Sequence, residues 1–154
     1  MKRIIKSVLI ILPYMWVFVL LKVYINFFAL EEDCEKDAKR MADETGIPFR
    51  GYSTMAALFL KSETCFRDVF YWRCKYKCYF LMCFFRRYPS LSFAGLQIAE
   101  GGAFYFHHPF STIINAQYIG YGCTFRNNTT IGNKTVNGTL VSPTLLGGGR
   151  RWSE

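Results

Sequence analysis

A six-residue period in the C-terminal third constrains the fold of this 154-residue chain more than any other feature. Large apolar residues recur there six positions apart, four times in succession: Ile113, Ile119, Phe125 and Ile131. Neither the 3.6-residue period of a helix nor the two-residue period of a flat strand produces this spacing. A chain wound into a three-sided coil does, because each side takes one short strand with one inward-pointing residue. We therefore expect these four residues to stack along the interior of a β-coil.

Glycines and small residues accompany the period. Gly120 and Gly132 directly follow two of the large residues. Four positions after a large residue, three of the four side chains are small: Cys123, Thr129 and Thr135. Small residues fit the tight corners of such a coil, so both observations favour it. Chance alternation in a β-sandwich is the alternative that the pattern leaves open.

Residues 1–30 are apolar, and the uncharged run 7–21 is 15 residues long. A helix that crosses a bilayer needs roughly 20 apolar residues, although Lys22 could reach the interface and let the helix continue. Pro13 is expected to kink a long helix. Three interpretations stay open: a helix packed in the protein or lying on the membrane, a true span, and a cleaved signal peptide. The last lacks a small-residue cleavage site.

The middle of the chain is predicted to be helical. Residues 31–45 are typical of a charged helix that ends at Gly46, and residues 54–88 favour one or two helices with an aromatic face. Six basic residues lie between 67 and 87 against one acid, Asp68. This stretch is either a solvated basic helix face or a contact with a membrane surface. Nucleic-acid binding is the third option for a basic, aromatic stretch, and no nucleic-acid motif supports it. A hydrophobic content of 51% excludes a disordered chain.

The six cysteines raise the question of a metal site, and four asparagines raise the question of glycosylation. The cysteine spacing fits no zinc site, so we expect free thiols in a reducing compartment and no bound metal. Asparagines stand in glycosylation-type sequences at positions 127, 128, 133 and 137. Because asparagine tolerates left-handed backbone angles, we interpret them as turn residues.

The segment that opens the six-residue repeat resembles the active-site entry of the serine O-acetyltransferases. Residues 102–114, GAFYFHHPFSTII, contain a glycine, an apolar strand, a histidine and, after three further residues, a short aliphatic run. Residues 119–132 are similar to the family's next coil, which ends in Thr-Ile-Gly. Residues 65–73, CFRDVFYWR, resemble the helical lead-in of bacterial relatives, some of them from polysaccharide gene clusters. The resemblance is strongest from 102 to 132.

The resemblance implies an α+β fold: a helical N-terminal region followed by a short, incomplete left-handed parallel β-helix of the hexapeptide-repeat acyltransferase superfamily. The expected parts are an apolar N-terminal helix (1–30), a helical domain (31–95), the repeat β-helix (96–146) and an irregular tail (147–154). It also implies a homotrimer with active sites between neighbouring β-helices. Acetyl-CoA would be the co-substrate and a small molecule with a hydroxyl the acceptor.

His108 matches the family's catalytic histidine by its spacing to the aliphatic run. Acetyl transfer to an alcohol requires the removal of one proton, and a histidine side chain ionises near neutral pH. His107 is the alternative base, and strict strand alternation predicts that the two side chains lie on opposite faces. The candidate cofactor-binding residues follow the Thr-Ile-Gly segment and are Gly132, Asn133 and Lys134.

Three features depart from the family. No acid lies at residues 91–94, where the family carries the aspartate that orients its histidine, and Glu100 is too near His108 in sequence to replace it. Ser142 stands where the family has a second histidine before a proline. The tail, with three glycines and two arginines, has no coil pattern, so the β-helix is expected to be cut short.

These departures leave the function open between related alternatives. Serine, as in cysteine biosynthesis, is the expected acceptor, and a sugar or polysaccharide hydroxyl is the alternative. A catalytically inactive, truncated remnant is the third interpretation. We expect a cytoplasmic protein that is free or held at the inner face of the membrane through residues 1–30.

Overall fold

The computed structural model describes residues 2–61, 65–87, 91–94, 99–100, 102–137 and 139–145. Within these residues helices come first and short strands follow, so the α+β prediction is confirmed. The helices are α1 (Lys2–Phe28), α2 (Glu31–Thr45), α3 (Tyr52–Leu60), α4 (Phe66–Arg73) and α5 (Tyr79–Phe84).

The helices follow the predicted pattern with two differences. α2 ends where predicted, because Gly46 adopts a left-handed φ of 68°. The aromatic stretch forms three helices rather than one or two, and α1 continues through Pro13. α1 buries one stripe against the rest of the helices through Val17, Leu21 and Ile25, which are four residues apart. Across the described residues, no helix combines the length and the apolarity that crossing a bilayer requires.

The strands are short and come from the last 64 residues of the chain. Their bounds are β1 (Leu91–Phe93), β2 (Ala99–Glu100), β3 (Tyr105–His107), β4 (Thr112–Ile114), β5 (Tyr118–Ile119), β6 (Thr124–Arg126), β7 (Thr130–Ile131), β8 (Lys134–Val136), β9 (Thr139–Val141) and β10 (Thr144–Leu145). Parallel pairing joins β1-β4-β7, β2-β5-β10 and β3-β6. The strands β8 and β9 form an antiparallel hairpin.

Successive strands enter the three parallel sheets in a repeating order. β1, β2 and β3 begin the three sheets, β4, β5 and β6 add a strand to each in the same order, and β7 returns to the first sheet. The β8–β9 hairpin interrupts the third round before β10 joins the second sheet. The six-residue period therefore corresponds to short strands that enter the three parallel sheets in turn.

The interior of these rounds is apolar, but it does not follow the predicted register. Ile119 and Phe125 are buried and Ile131 is half-buried, as expected, whereas Ile113 is 45% exposed. Ile114 takes the inward position instead and pairs in register with Ile131. The predicted single stack is also wrong, because the four residues lie in three different sheets.

The loop between β3 and β4 keeps the six-residue spacing, and the shift in register lies after it. His108 and Ser111 both have positive φ, at 48° and 51°, so the chain turns sharply twice. Thr112 is fully buried six positions after Phe106, and Ile114, on the same face of β4, is buried as well. The next buried strand residue, Ile119, is seven positions after Thr112 and five after Ile114, so the six-residue period breaks between β4 and β5.

The boundary between helices and strands lies earlier than predicted. β1 falls inside the predicted helical domain (31–95) yet pairs with β4, so the strand region begins at Leu91. Leu91 and Phe93 are buried and Ser92 is exposed, which is the alternation of a strand. The predicted tail, 147–154, lies outside the described residues.

A buried ion pair joins the helices to the strands. The Arg73 guanidinium Nε of α4 lies 2.6 Å from Oδ2 of Asp37 on α2, and both side chains are almost fully buried. The backbone N–H of Phe104, which leads into β3, donates to Oδ1 of Asp37 at 3.0 Å. Burial raises the pKa of the Asp37 carboxyl, and Arg73 and the Phe104 amide act in the opposite direction. One carboxylate thus fixes three segments relative to one another.

Candidate active site

The two histidines lie at the end of β3, where the chain leaves the third sheet. In β3, Phe106 points inward, and its ring stacks on Phe125 of β6 at 5.0 Å between centroids. His107 follows on the outer face and is exposed. His108 is the first residue of the loop to β4 and is also exposed. The inward phenylalanine therefore orients the strand so that the imidazoles face outward.

The predicted opposite placement of the two histidines is wrong. Both side chains are exposed, and their ring centroids lie 4.5 Å apart with the planes inclined at 62°. The cause is the backbone of His108, whose φ of 48° takes it out of strand geometry. Alternation between faces applies only within extended backbone. The structure thus brings the two candidate bases together on one surface.

The loop that carries His108 is held at several points. Pro109 is buried, and the His108 carbonyl accepts a hydrogen bond from the Phe110 N–H at 2.7 Å. The Phe110 carbonyl in turn accepts from the N–H of Asn128, in the turn after β6, also at 2.7 Å. The Thr112 hydroxyl lies within 3.3 Å of the Phe110 and Arg126 carbonyls. His108 is therefore exposed on a backbone that is fixed by its neighbours.

The surroundings of the pair are cationic and aromatic. His107 is in register with Arg126 of β6, which is exposed beside it, and the Tyr105 ring centroid is 6.1 Å from that of His107. Among the side chains that the structure describes, no carboxylate forms an ion pair with either histidine. Glu100 belongs to β2, and its side chain lies outside the described residues. The expected lack of an orienting acid stays a prediction for this reason.

The candidate cofactor-binding residues lie at a different corner. Gly132 and Asn133 connect β7 to the hairpin, and Lys134 is the first residue of β8. All three are exposed. The N–H of Asn115, which follows β4, donates to the carbonyl of Ile131, which precedes Gly132. The His108 loop precedes β4, and these residues lie beside the other end of that three-residue strand.

The turn interpretation of the asparagines is confirmed at two positions. Asn128 and Asn137 have φ of 57° and 50°, and both lie in turns. Asn137 forms the tip of the β8–β9 hairpin, while Asn128 anchors the histidine loop. The six cysteines are free thiols in the structure.

A cavity of about 980 Å³ separates α2 from the last round of strands. Its strand side includes Phe125, Ile131 and Leu145, the inward residues of the last strand in each parallel sheet. Its helix side carries Lys36, Lys39 and Arg40, each paired to an acid one turn away at 2.7 to 2.8 Å. The described lining residues include neither histidine. The cavity is thus separate from the histidine site.

This cavity was not predicted from the sequence, although one sequence feature points to its helix side. Lys36, Lys39 and Arg40 have the i, i+3, i+4 spacing that places three basic side chains on one face of α2. That face could be read from the sequence, but the strands it meets depend on how α2 docks.

Comparison of the chain with models of known protein families, with curated proteins and with solved structures found no match in any of the three.

Proposed function

We propose that this protein transfers an acetyl group from acetyl-CoA to a hydroxyl, with His108 as the general base. The observation that carries the proposal is the exposed histidine pair where β3 ends and a fixed loop begins. An exposed imidazole next to a second one is open to a substrate on the outer surface. The family-like segment 102–132 supplies the reaction class.

The proposed scaffold is a left-handed parallel β-helix. The cyclic order of the three parallel sheets supports a coil with three sides. The inward apolar residues Phe106, Ile114, Ile119 and Phe125 support it as well, since each side of such a coil contributes one to the interior. The hand of the coil and its number of rounds belong to this proposal.

The chemistry follows from the weakness of a hydroxyl as a nucleophile. His108 takes the proton as the acceptor oxygen attacks the thioester carbonyl. The tetrahedral oxyanion then collapses, the carbon–sulfur bond breaks, and the imidazolium returns its proton to the leaving thiolate of coenzyme A. General-base catalysis of this kind contributes typically 10²–10⁴-fold. The products are an acetyl ester and free coenzyme A, and His108 is regenerated.

A complete site is proposed to need more than one copy of the chain. His108 and the segment Gly132–Lys134 lie beside opposite ends of the short strand β4, and the proposal is that each faces a neighbouring copy. A homotrimer, as in the resembling family, would set the histidine of one copy beside Lys134 of the next. Lys134 would then offer its charge to the phosphates of coenzyme A.

The test is acceptor-dependent loss of the acetyl-CoA thioester. The loss should be followed by thioester absorbance, because a thiol reagent would also react with the exposed Cys83. We expect consumption with free serine, and the acetylated product should be identified by mass spectrometry. Consumption with hexoses but not serine would assign the sugar acceptor instead. No consumption with either class, by protein shown to be folded and trimeric, would favour the non-catalytic interpretation.

A further inference from the structure

The helix α1 has a second apolar face that nothing in the described structure covers. Its buried stripe, Val17, Leu21 and Ile25, packs on the other helices. The other side of the same helix is mostly apolar as well, although Lys22 and Asn26 are exposed on it. Its exposed apolar side chains, each about half exposed or more, are Leu12, Met15, Trp16, Val19, Val23 and Phe27. Phe27 is 79% exposed. So many exposed apolar side chains on one face of a helix indicate a contact surface.

The helix α5 extends this apolar face. Tyr79, Phe80 and Phe84 are exposed on it, Tyr79 at 70% and Phe84 at 64%. The Trp16 ring contacts both phenylalanines, with centroids 5.6 Å from Phe80 and 6.4 Å from Phe84. The two helices therefore present one continuous surface, named here the aromatic face: the exposed apolar residues of α1 from Leu12 to Phe27 together with Tyr79, Phe80 and Phe84.

Basic residues border the aromatic face at both ends of α5. Lys75 and Lys77 are exposed just before the helix, and Arg86 is exposed just after it. Residues 69–87 contain no acid, and the whole chain carries a net charge of +8. An apolar surface with tryptophan and tyrosine, bordered by lysine and arginine, is the composition of elements that lie in the headgroup region of a membrane.

We propose that the aromatic face docks on a membrane surface that contains anionic lipid. The charge of the surrounding residues decides whether a membrane or a second copy of the chain covers the aromatic face. A second copy of the chain would add its own Lys75, Lys77 and Arg86 to the interface, and residues 69–87 offer no acid to pair with them. Anionic headgroups complement them, and each basic residue near such a surface favours binding by about fivefold. The docking does not depend on the proposed acetyl transfer.

Vesicle sedimentation of the full chain tests this proposal. The protein should sediment with phosphatidylcholine vesicles that contain phosphatidylglycerol, bind weakly to pure phosphatidylcholine, and be released by salt. Trp16 should enter the interface, so vesicles should shift the tryptophan emission to shorter wavelength. That shift should be absent in Trp16→Phe.

Matched variants locate the contact. Replacing both Phe80 and Phe84 by serine should weaken binding about 10-fold or more, because two exposed aromatic rings are lost from the apolar face. Phe110→Ser removes an equally exposed phenylalanine from the strand region and should change nothing. The double variant Lys75→Glu, Lys77→Glu should weaken binding to anionic vesicles at least about 10-fold, whereas Lys134→Glu should not.

Two results would overturn the proposal. The first is equal binding of the wild type and the Phe80/Phe84 variant, with both folded by circular dichroism. The second is a complete lack of binding to anionic vesicles together with self-association that the Phe80/Phe84 variant abolishes in analytical ultracentrifugation. That outcome would assign the aromatic face to a second copy of the chain.

Discussion

Asp37 is the residue that couples the helices to the strands. Its carboxylate meets the Arg73 guanidinium at 2.6 Å and the Phe104 amide at 3.0 Å, with both charged side chains buried. Removing one partner leaves an uncompensated buried charge, which typically costs about 3–5 kcal/mol. We expect Arg73→Met to lower the free energy of unfolding by that amount in urea titration.

The control is an exposed pair on the same helix. Lys39 and Glu35 lie 2.8 Å apart on the surface of α2, and Lys39→Ala should cost less than about 1 kcal/mol. Replacing both Asp37 and Arg73 by apolar residues should restore part of the loss, because no charge is then left buried. Equal small losses of stability for Arg73→Met and Lys39→Ala would show that the Asp37–Arg73 pair does not couple the helices to the strands.

The cysteines differ in reactivity because they differ in burial. Cys83 is exposed, whereas Cys65 is buried and burial raises its pKa to about 12. The thiolate is the reactive form, so iodoacetamide at pH 8 should alkylate Cys83 long before Cys65. Peptide mass spectrometry over a time course measures the order. Alkylation of Cys65 at the rate of Cys83 would contradict the packing of α4.

At the scale of the element, β4 was expected to bury Ile113, and in the structure it buries the neighbouring residue instead. Ile114 is fully buried and Ile113 is 45% exposed. Ile114→Ala should therefore cost about 2–5 kcal/mol, the usual range for truncating a buried aliphatic side chain. Ile113→Ala should cost within about 1 kcal/mol. Chemical denaturation of the two variants measures both, and a larger loss for Ile113→Ala would reverse the register described here.

The order of elements could be predicted from sequence, and the positions set by loops could not. α2 was predictable to the residue because its charges and Gly46 mark both ends. The short C-terminal strands were predictable because large apolar residues recur there at a period that no helix produces. The position of Ile113 was not, since β4 buries Thr112 and Ile114 on either side of it and the six-residue period breaks between β4 and β5. The positive φ of His108 placed both histidines on one surface, which alternation alone does not allow.

At the scale of the whole molecule, the proposed sharing of the site between copies of a trimer predicts complementation between defective copies. Chains with His108→Ala and chains with Lys134→Ala should each be impaired alone. Refolded together as mixed trimers, they should regain activity, since some interfaces pair an intact His108 with an intact Lys134. Random mixing in equal amounts should restore about a quarter of the sites. Failure to gain activity on mixing would place the whole site within one copy.

The turnover of acetyl-CoA by His108→Ala, compared with His107→Ala, tests the central claim most directly. If His108 is the base, its loss should lower the rate about 10²–10⁴-fold while coenzyme A binding changes little. His107→Ala should lower the rate far less, because His107 is the neighbour and not the base in this proposal. An unchanged rate after the loss of His108 would contradict the mechanism, because His108 could then not be the general base.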